Sequence, residues 1–248
     1  MTDQESGTVG RSAGLGLEIQ QRLEQVDRYN EWIVEQFRPF IGDRIVDVGC
    51  AIGNITKQFI DRELVIGIDV AREFIDEMRA RFGDRPNFRA ELIDIADPKI
   101  MELADEKIDT IVCANVLEHI EDDGRALTHI QEILVPGGRL LLLVPAFRFL
   151  FGTMDVADDH FRRYTKPLVQ ARLQRAGFEI ERLYYMNMVG TLGWFVNGRI
   201  LKRQIVSNSQ YSLYNKIVPV LAKIENRVRP PFGLSVIAVA RKPAEVTS

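Results

Sequence analysis

The residues whose types suit them best to chemistry lie together in one stretch, Gly152-Thr-Met-Asp155-Val-Ala-Asp158-Asp159-His160-Phe-Arg162-Arg163-Tyr164-Thr165. An imidazole titrates where a side chain can take a proton from a hydroxyl. Asp158 and Asp159 stand close enough in sequence to fix its tautomer and raise its basicity. His160 is thus the candidate general base, and Asp158, Arg162, Arg163 and Tyr164 are the candidate contacts for an anionic or sugar-like acceptor. A competing reading pairs the two aspartates with the two arginines to pin the loop and leaves His160 as packing.

A second constellation sits earlier, at Asp47-Val-Gly-Cys-Ala-Ile-Gly53. Ile45, Val46 and Val48 read as a buried strand that turns sharply at Gly49, Cys50, Ala51 and Gly53. Such a turn offers bare backbone N–H groups to a ligand of nucleotide type. A dinucleotide site wants Gly-x-Gly-x-x-Gly, and here the sixth position is Asn54. Ala51, between the two glycines, adds a methyl group and demands an ordinary φ. Asp69, with Val70 beside it, lies 20 positions after Gly49, where a carboxylate at the next strand tip can accept from both ribose hydroxyls. Asp94 at the third tip can accept from an adenine amine while Ile95 covers the ring. Asn115 and Val116 follow the fourth strand.

The string Asp47 to Gly53 resembles the first motif of the class I S-adenosylmethionine-dependent methyltransferases, Asp/Glu-x-Gly-x-Gly-x-Gly, with Ala51 as the departure. Asn115-Val-Leu-Glu-His-Ile120 looks like the small-molecule branch of that family, unlike the Asn-Pro-Pro-Tyr segment of its nucleic-acid amino-methylating enzymes. Val135-Pro-Gly-Gly138 before a buried strand is also similar, and the resemblance covers about residues 29 to 186 plus the last strand. It implies S-adenosylmethionine bound by Asp47, Gly49, Cys50, Ala51, Gly53, Asp69, Val70, Asp94, Ile95, Asn115 and Val116. It also implies that Tyr29 or Trp32 on a leading helix faces the methionine end, where packing of those aromatics is the alternative. The acceptor is expected to be an oxygen on a small-molecule, glycan or lipid-linked compound. A non-catalytic member of the fold that binds the same cofactor, and a nicotinamide-dependent oxidoreductase, stand as alternatives.

These residues need a frame, and the pattern supplies one. Short apolar runs alternate with helical periodicity from residue 44 to residue 186, the signature of a doubly wound α/β sheet. In the resembled family the sheet has seven strands, mostly parallel, with the sixth and seventh antiparallel. Helices are expected over 17–40, 54–62, 71–81, 123–134 and 167–176, and strands over 86–95, 107–113, 139–145, 178–186 and 234–241. Residues 1–16 read as a tail, 17–186 with 234–243 as the core domain and 187–233 as an insert. Glu118 and His119 are adjacent, so on a helix they point apart and no metal pair is expected. His119 and His129 read as packing or surface residues. Cys50 and Cys113 read as reduced thiols in a cytoplasmic chain with no secretory leader.

The insert carries seven basic residues against the single acid Glu225, a charge of +6 in a chain whose net charge is −3. One apolar face is expected from Leu192, Phe195, Val196 and Ile200, and another from Tyr214, Ile217, Leu221, Ile224 and Val228, kinked at Pro219. Two basic amphipathic helices beside an active-site mouth suggest a lid that meets an anionic membrane surface; a helical cap or homodimer interface is the competing reading. RNA is disfavoured, because the rest of the chain is acidic and no nucleic-acid motif is present.

Overall fold

The computed structural model describes residues 27–203 and 208–244. The expected tail and residues 17–26 of the leading helix lie outside the described residues. Seven strands form one sheet: β1 (Arg44–Val48), β2 (Leu64–Asp69), β3 (Phe88–Leu92), β4 (Ile108–Ala114), β5 (Leu134–Pro145), β6 (Glu179–Met186) and β7 (Ser235–Arg241). Their order is β3-β2-β1-β4-β5-β7-β6, and β7 alone runs antiparallel to its neighbours. Strand tips at 48, 69, 92, 114, 145 and 186 therefore share one edge.

Alternation along each strand divides the core in two. Ile45, Val65, Val112 and Leu141 fall on one face with helices α1 (Asp27–Phe37) and α2 (Arg72–Phe82). Val46, Ile66, Ile111 and Leu140 fall on the other, with α3 (Asp123–Ile133) and α5 (Lys166–Arg175). A parallel sheet buried on both faces needs such uninterrupted apolar strands. A short α4 (Thr153–Ala157) lies between β5 and α5.

Two local expectations give way. Residues 54–62 are not a helix but a single 3-10 turn, Thr56–Gln58, because the Thr56 hydroxyl is drawn down to the Asp47 carboxylate. Strand β5 begins at Leu134, five residues early, since Pro136-Gly137-Gly138 lies within it beside a register shift and Gly137 takes a φ of +82°.

The insert consists of α6 (Met188–Phe195), a π-turn at Val196–Ile200, and α7 (Asn208–Glu225) with Pro219 inside it. Its ends meet: Leu234 N–H donates to Asn187 O at 2.9 Å. Glu225, the insert's only acid, is buried and accepts from the N–H groups of Asn187 and Met188 at 2.7 and 2.9 Å, capping α6. Helix α7 packs on α1, where Asn226 accepts from Gln36 and Trp32. The expected α7 face is split. Tyr214 and Leu221 turn inward with Val218 and Ala222, while Ile217 and Ile224 join Leu213 and Val220 in an exposed stripe and Val228 is exposed just beyond the helix end.

Candidate functional site

At the tip of β1 the backbone passes through three left-handed residues, Gly49 (φ +65°), Ala51 (φ +45°) and Gly53 (φ +83°). The expectation of an ordinary φ at Ala51 is therefore overturned. A Cβ in that region costs about 1–2 kcal/mol, and the conformation is held by Ala51 N–H donating to Asp69 Oδ2 at 3.0 Å. The N–H groups of Gly49 and Cys50 both point to Ile68 O, which binds the turn to the tip of β2. Any side chain at Gly49 collides with Val116 Cγ2, so Val116 seats directly over the turn.

The carboxylates divide by height. Asp47 is buried under the turn, accepts from Thr56 Oγ1 at 2.5 Å, and is pushed up to about 7 by burial. It shapes the turn from below rather than facing a ligand. Asp69 sits at the rim, its Oδ1 and Oδ2 accepting from Ala71 and Ala51 N–H at 3.0 Å each. A carboxylate has about four lone-pair sites, so Asp69 keeps capacity for two hydroxyls. Burial raises it above the usual carboxylate range.

Asp94 is exposed at the third tip and accepts from Ala96 N–H, while Ile95 beside it is buried with its carbonyl held by His129 Nδ1. Asn115, exposed with φ +55°, and Val116 close the row. The Cys50 thiol packs over Gly67 beside Met78, leaving only its backbone at the turn, and burial pushes the thiol up. Val70 is exposed. Tyr29 lies edge-on to Trp32 and Tyr214 and hydrogen-bonds Asn187 and Ser235, so it braces the insert. Lys57 pairs with Asp27 at 2.5 Å, tying the start of α1 to the turn. The N–H groups of Gly49, Cys50, Ala51 and Gly53 are all taken up within the protein, against the expectation that they stand bare, and it is the rim carboxylate, the small side chains of the turn and a second exposed carboxylate that fit an adenosine with its ribose at Asp69.

The loop after β5 opens on the same edge, and it corrects most of the acceptor assignments. The organising group is one that sequence reasoning left without a role, Asp155, whose side chain is wholly buried. It accepts from Arg163 Nε at 2.6 Å, His160 Nδ1 at 2.9 Å, Gly152 N–H at 2.9 Å and Trp194 Nε1 at 3.4 Å. Its spacing of five residues before His160 was the available signal. Arg163 is buried, donates also to Ala146 O, and lies 4.7 Å from the Trp194 ring centre. It is a structural ion, not an acceptor contact. Tyr164 is 0% exposed, with its hydroxyl between Leu117 O and Asp123 Oδ2 at 3.1 Å each, so it too is removed from the acceptor. Arg162 clasps the carbonyls of Ile120 and Glu121.

His160 has both nitrogens engaged, Nδ1 with Asp155 and Nε2 with Asp158 Oδ2 at 3.3 Å. The two hydrogen-bonded carboxylates, against the opposing effect of burial, bring it to about 9. An imidazole so held is a cation near neutrality, which counts against the role of free base. Asp158, its side chain 47% exposed, is the most open of the candidate contacts, ahead of Arg162 at 23%. Beneath it lies Glu118, 0% exposed, with neither carboxylate oxygen hydrogen-bonded; burial pushes it up to about 7. The insert shuts this loop from behind. Thr153 Oγ1 donates to Gly198 O and Arg203 O, and a cavity of about 620 Å³ runs between 151–157 and Gly198, Arg199 and Lys202.

Residues 46–140 match the methyltransferase domain family. Among curated proteins, a 37.1 kDa protein of transposon TN4556 from Streptomyces fradiae is 33% identical over 50% of this chain and 36% of its own length. The O-methyltransferase cnsE of Penicillium expansum is 27% identical over 62% of this chain and 58% of its own. The chain thus spans between about a third and three-fifths of these relatives. Among solved structures, a putative methyltransferase from Bacillus halodurans superposes with a TM-score of 0.60 at 18% identity, covering 86% of this chain and 99% of that one. The [4+2]-cyclase SpnF superposes at 0.57 with 20% identity, covering 88% and 82%, a likeness of fold alone. Residues 46–140 thus carry the match to the methyltransferase domain family, and the left-handed turn and the carboxylate at the tip of β2 both lie within that stretch.

Proposed function

We propose that the chain transfers a methyl group from S-adenosylmethionine to an oxygen of a small-molecule, glycan or lipid-linked acceptor. One observation carries the reading: the Gly49–Gly53 turn braced by Asp69 and the Asp158–His160 loop open on a single sheet edge. The cofactor, when bound, supplies a methyl group made electrophilic by its sulfonium. Asp69 holds the ribose, Asp94 and Ile95 receive the adenine, and Asn115 and Val116 line the way to the acceptor loop. Direct displacement asks the protein chiefly for alignment at about 3 Å, and the Asp155–Arg163–Trp194 knot fixes that loop. O-methyltransferases among the relatives support oxygen as the nucleophile. Calorimetry with S-adenosylmethionine and with NAD, then formation of S-adenosylhomocysteine on metabolite extracts, tests the proposal. Binding of NAD alone, or cofactor binding without turnover on any extract, overturns it.

A second feature favours an acceptor at a membrane. Leu213, Ile217, Val220 and Ile224 form an exposed apolar stripe on α7, with Val228 exposed just beyond its end and Lys216, Lys223 and Arg227 exposed in the same stretch. Leu192, Val196 and Ile200 are likewise exposed on the preceding segment. An exposed apolar stripe accompanied by cations suits an anionic lipid surface. Among the described residues no helix is long and apolar enough to cross a bilayer.

A further inference from the structure

We infer that Glu118, His119 and His160 form a binding site for one divalent first-row transition metal ion, with Asp158 as a fourth ligand. One donor atom from each of the first three lies within 4.8 Å of the others. Adjacency of Glu118 and His119 argued against such a pair on an α-helix. The segment Leu117–His119 is instead a 3-10 turn, and the third donor arrives from the loop after β5.

Three further observations point to a ligand. The Glu118 carboxylate is fully buried without a hydrogen bond to either oxygen, a costly state for an anion unless a cation meets it. The His160 imidazole has its second contact in place, with Nδ1 held by Asp155 Oδ1 at 2.9 Å. Metal-binding histidines are oriented by a carboxylate or carbonyl in this manner, and the arrangement leaves His160 Nε2 for the ion. Finally, Nε2 stands 3.3 Å from Asp158 Oδ2. A charge-assisted hydrogen bond runs nearer 2.8 Å, whereas two ligands about 2.1 Å from one tetrahedral ion lie about 3.4 Å apart.

Two imidazoles with one or two carboxylates suit Zn²⁺, Mn²⁺ or Fe²⁺ better than Mg²⁺ or Ca²⁺. If the oxygen-acceptor reading above is right, the ion would expand to a fifth position that takes the acceptor hydroxyl, whose proton leaves to water. The oxygen lone pair then forms the C–O bond as the S–CH3 bond breaks and sulfur becomes a neutral thioether.

The test is metal binding itself, which stands or falls separately from turnover. The untagged full chain is stripped with chelator and titrated with Co²⁺ and Zn²⁺. One equivalent bound, with visible d–d absorption for Co²⁺ that Zn²⁺ displaces, is expected. His119→Gln, at an exposed position that folding tolerates, weakens Zn²⁺ at least tenfold, and Asp155→Asn, which touches no ion, weakens it about 10–100-fold. No stoichiometric Co²⁺ signal, or wild-type affinity in His119→Gln and Glu118→Gln, overturns the site. Metal binding without methyl transfer leaves it standing and removes only its link to the acceptor.

Discussion

Asp69 serves the fold and the ligand with the same two oxygens. One backbone N–H reaches each of them, and the remaining lone pairs are what a ribose needs. Asp69→Asn keeps an acceptor for Ala51 but loses the charge. Hydrogen bonds to charged groups contribute about 1.5–3 kcal/mol, so calorimetry is expected to show S-adenosylmethionine bound about 10–100-fold more weakly with little change in melting temperature. Asp47 makes the opposite use of burial. Its folded value near 7 exceeds that of an unfolded aspartate, about 4. Between those values the folded chain holds a proton that the unfolded chain has lost, so this group lowers stability as pH rises from about 4 to 7. Chemical denaturation of wild type and Asp47→Asn across that range should show the difference between them shift in favour of the variant, then level off above pH 7. At this scale the cofactor residues were legible because their spacing is local to strand tips. Asp155 was not, since its importance comes from Arg163 and Trp194, one of which lies 39 residues away.

Among the elements, strands were easier to read than helices. A run such as Leu140 to Val144 is apolar at every position and buried at every position, so no competing structure explains it. The 54–62 segment has helical composition, yet the Asp47–Thr56 bond wins at its start. Helix α7 shows the same weakness. Tyr214, Val218 and Leu221 fit helical spacing as well as Leu213, Ile217 and Val220 do, and only the presence of Tyr29 and Trp32 on α1 decides which stripe turns inward. Glu225 is the element-scale anchor. Glu225→Gln is expected to lower the free energy of unfolding by about 1–3 kcal/mol and to speed limited proteolysis within 187–233, read by urea denaturation and mass spectrometry of the fragments.

Taken as a molecule, the chain is electrically divided, with the +6 insert set against an otherwise acidic body. Juxtamembrane basic residues contribute about 1 kcal/mol each at an anionic surface. Co-sedimentation with phosphatidylserine vesicles is therefore expected to exceed that with phosphatidylcholine and to fall with salt. Lys216→Glu with Lys223→Glu should reduce it at least tenfold; equal binding to both lipids or to neither contradicts the membrane reading. The antiparallel pairing of the last two strands was legible through the resemblance, whereas the strand order was not, because the alternation of elements does not by itself say where β7 enters. That entry point has a design consequence. Since β6 leaves and β7 returns on one edge, and Asn187 and Leu234 stand a single hydrogen bond apart, the intervening 46 residues plug into the sheet like a cartridge. A cartridge of another length joined at the same two residues is therefore expected to leave the strand register unchanged.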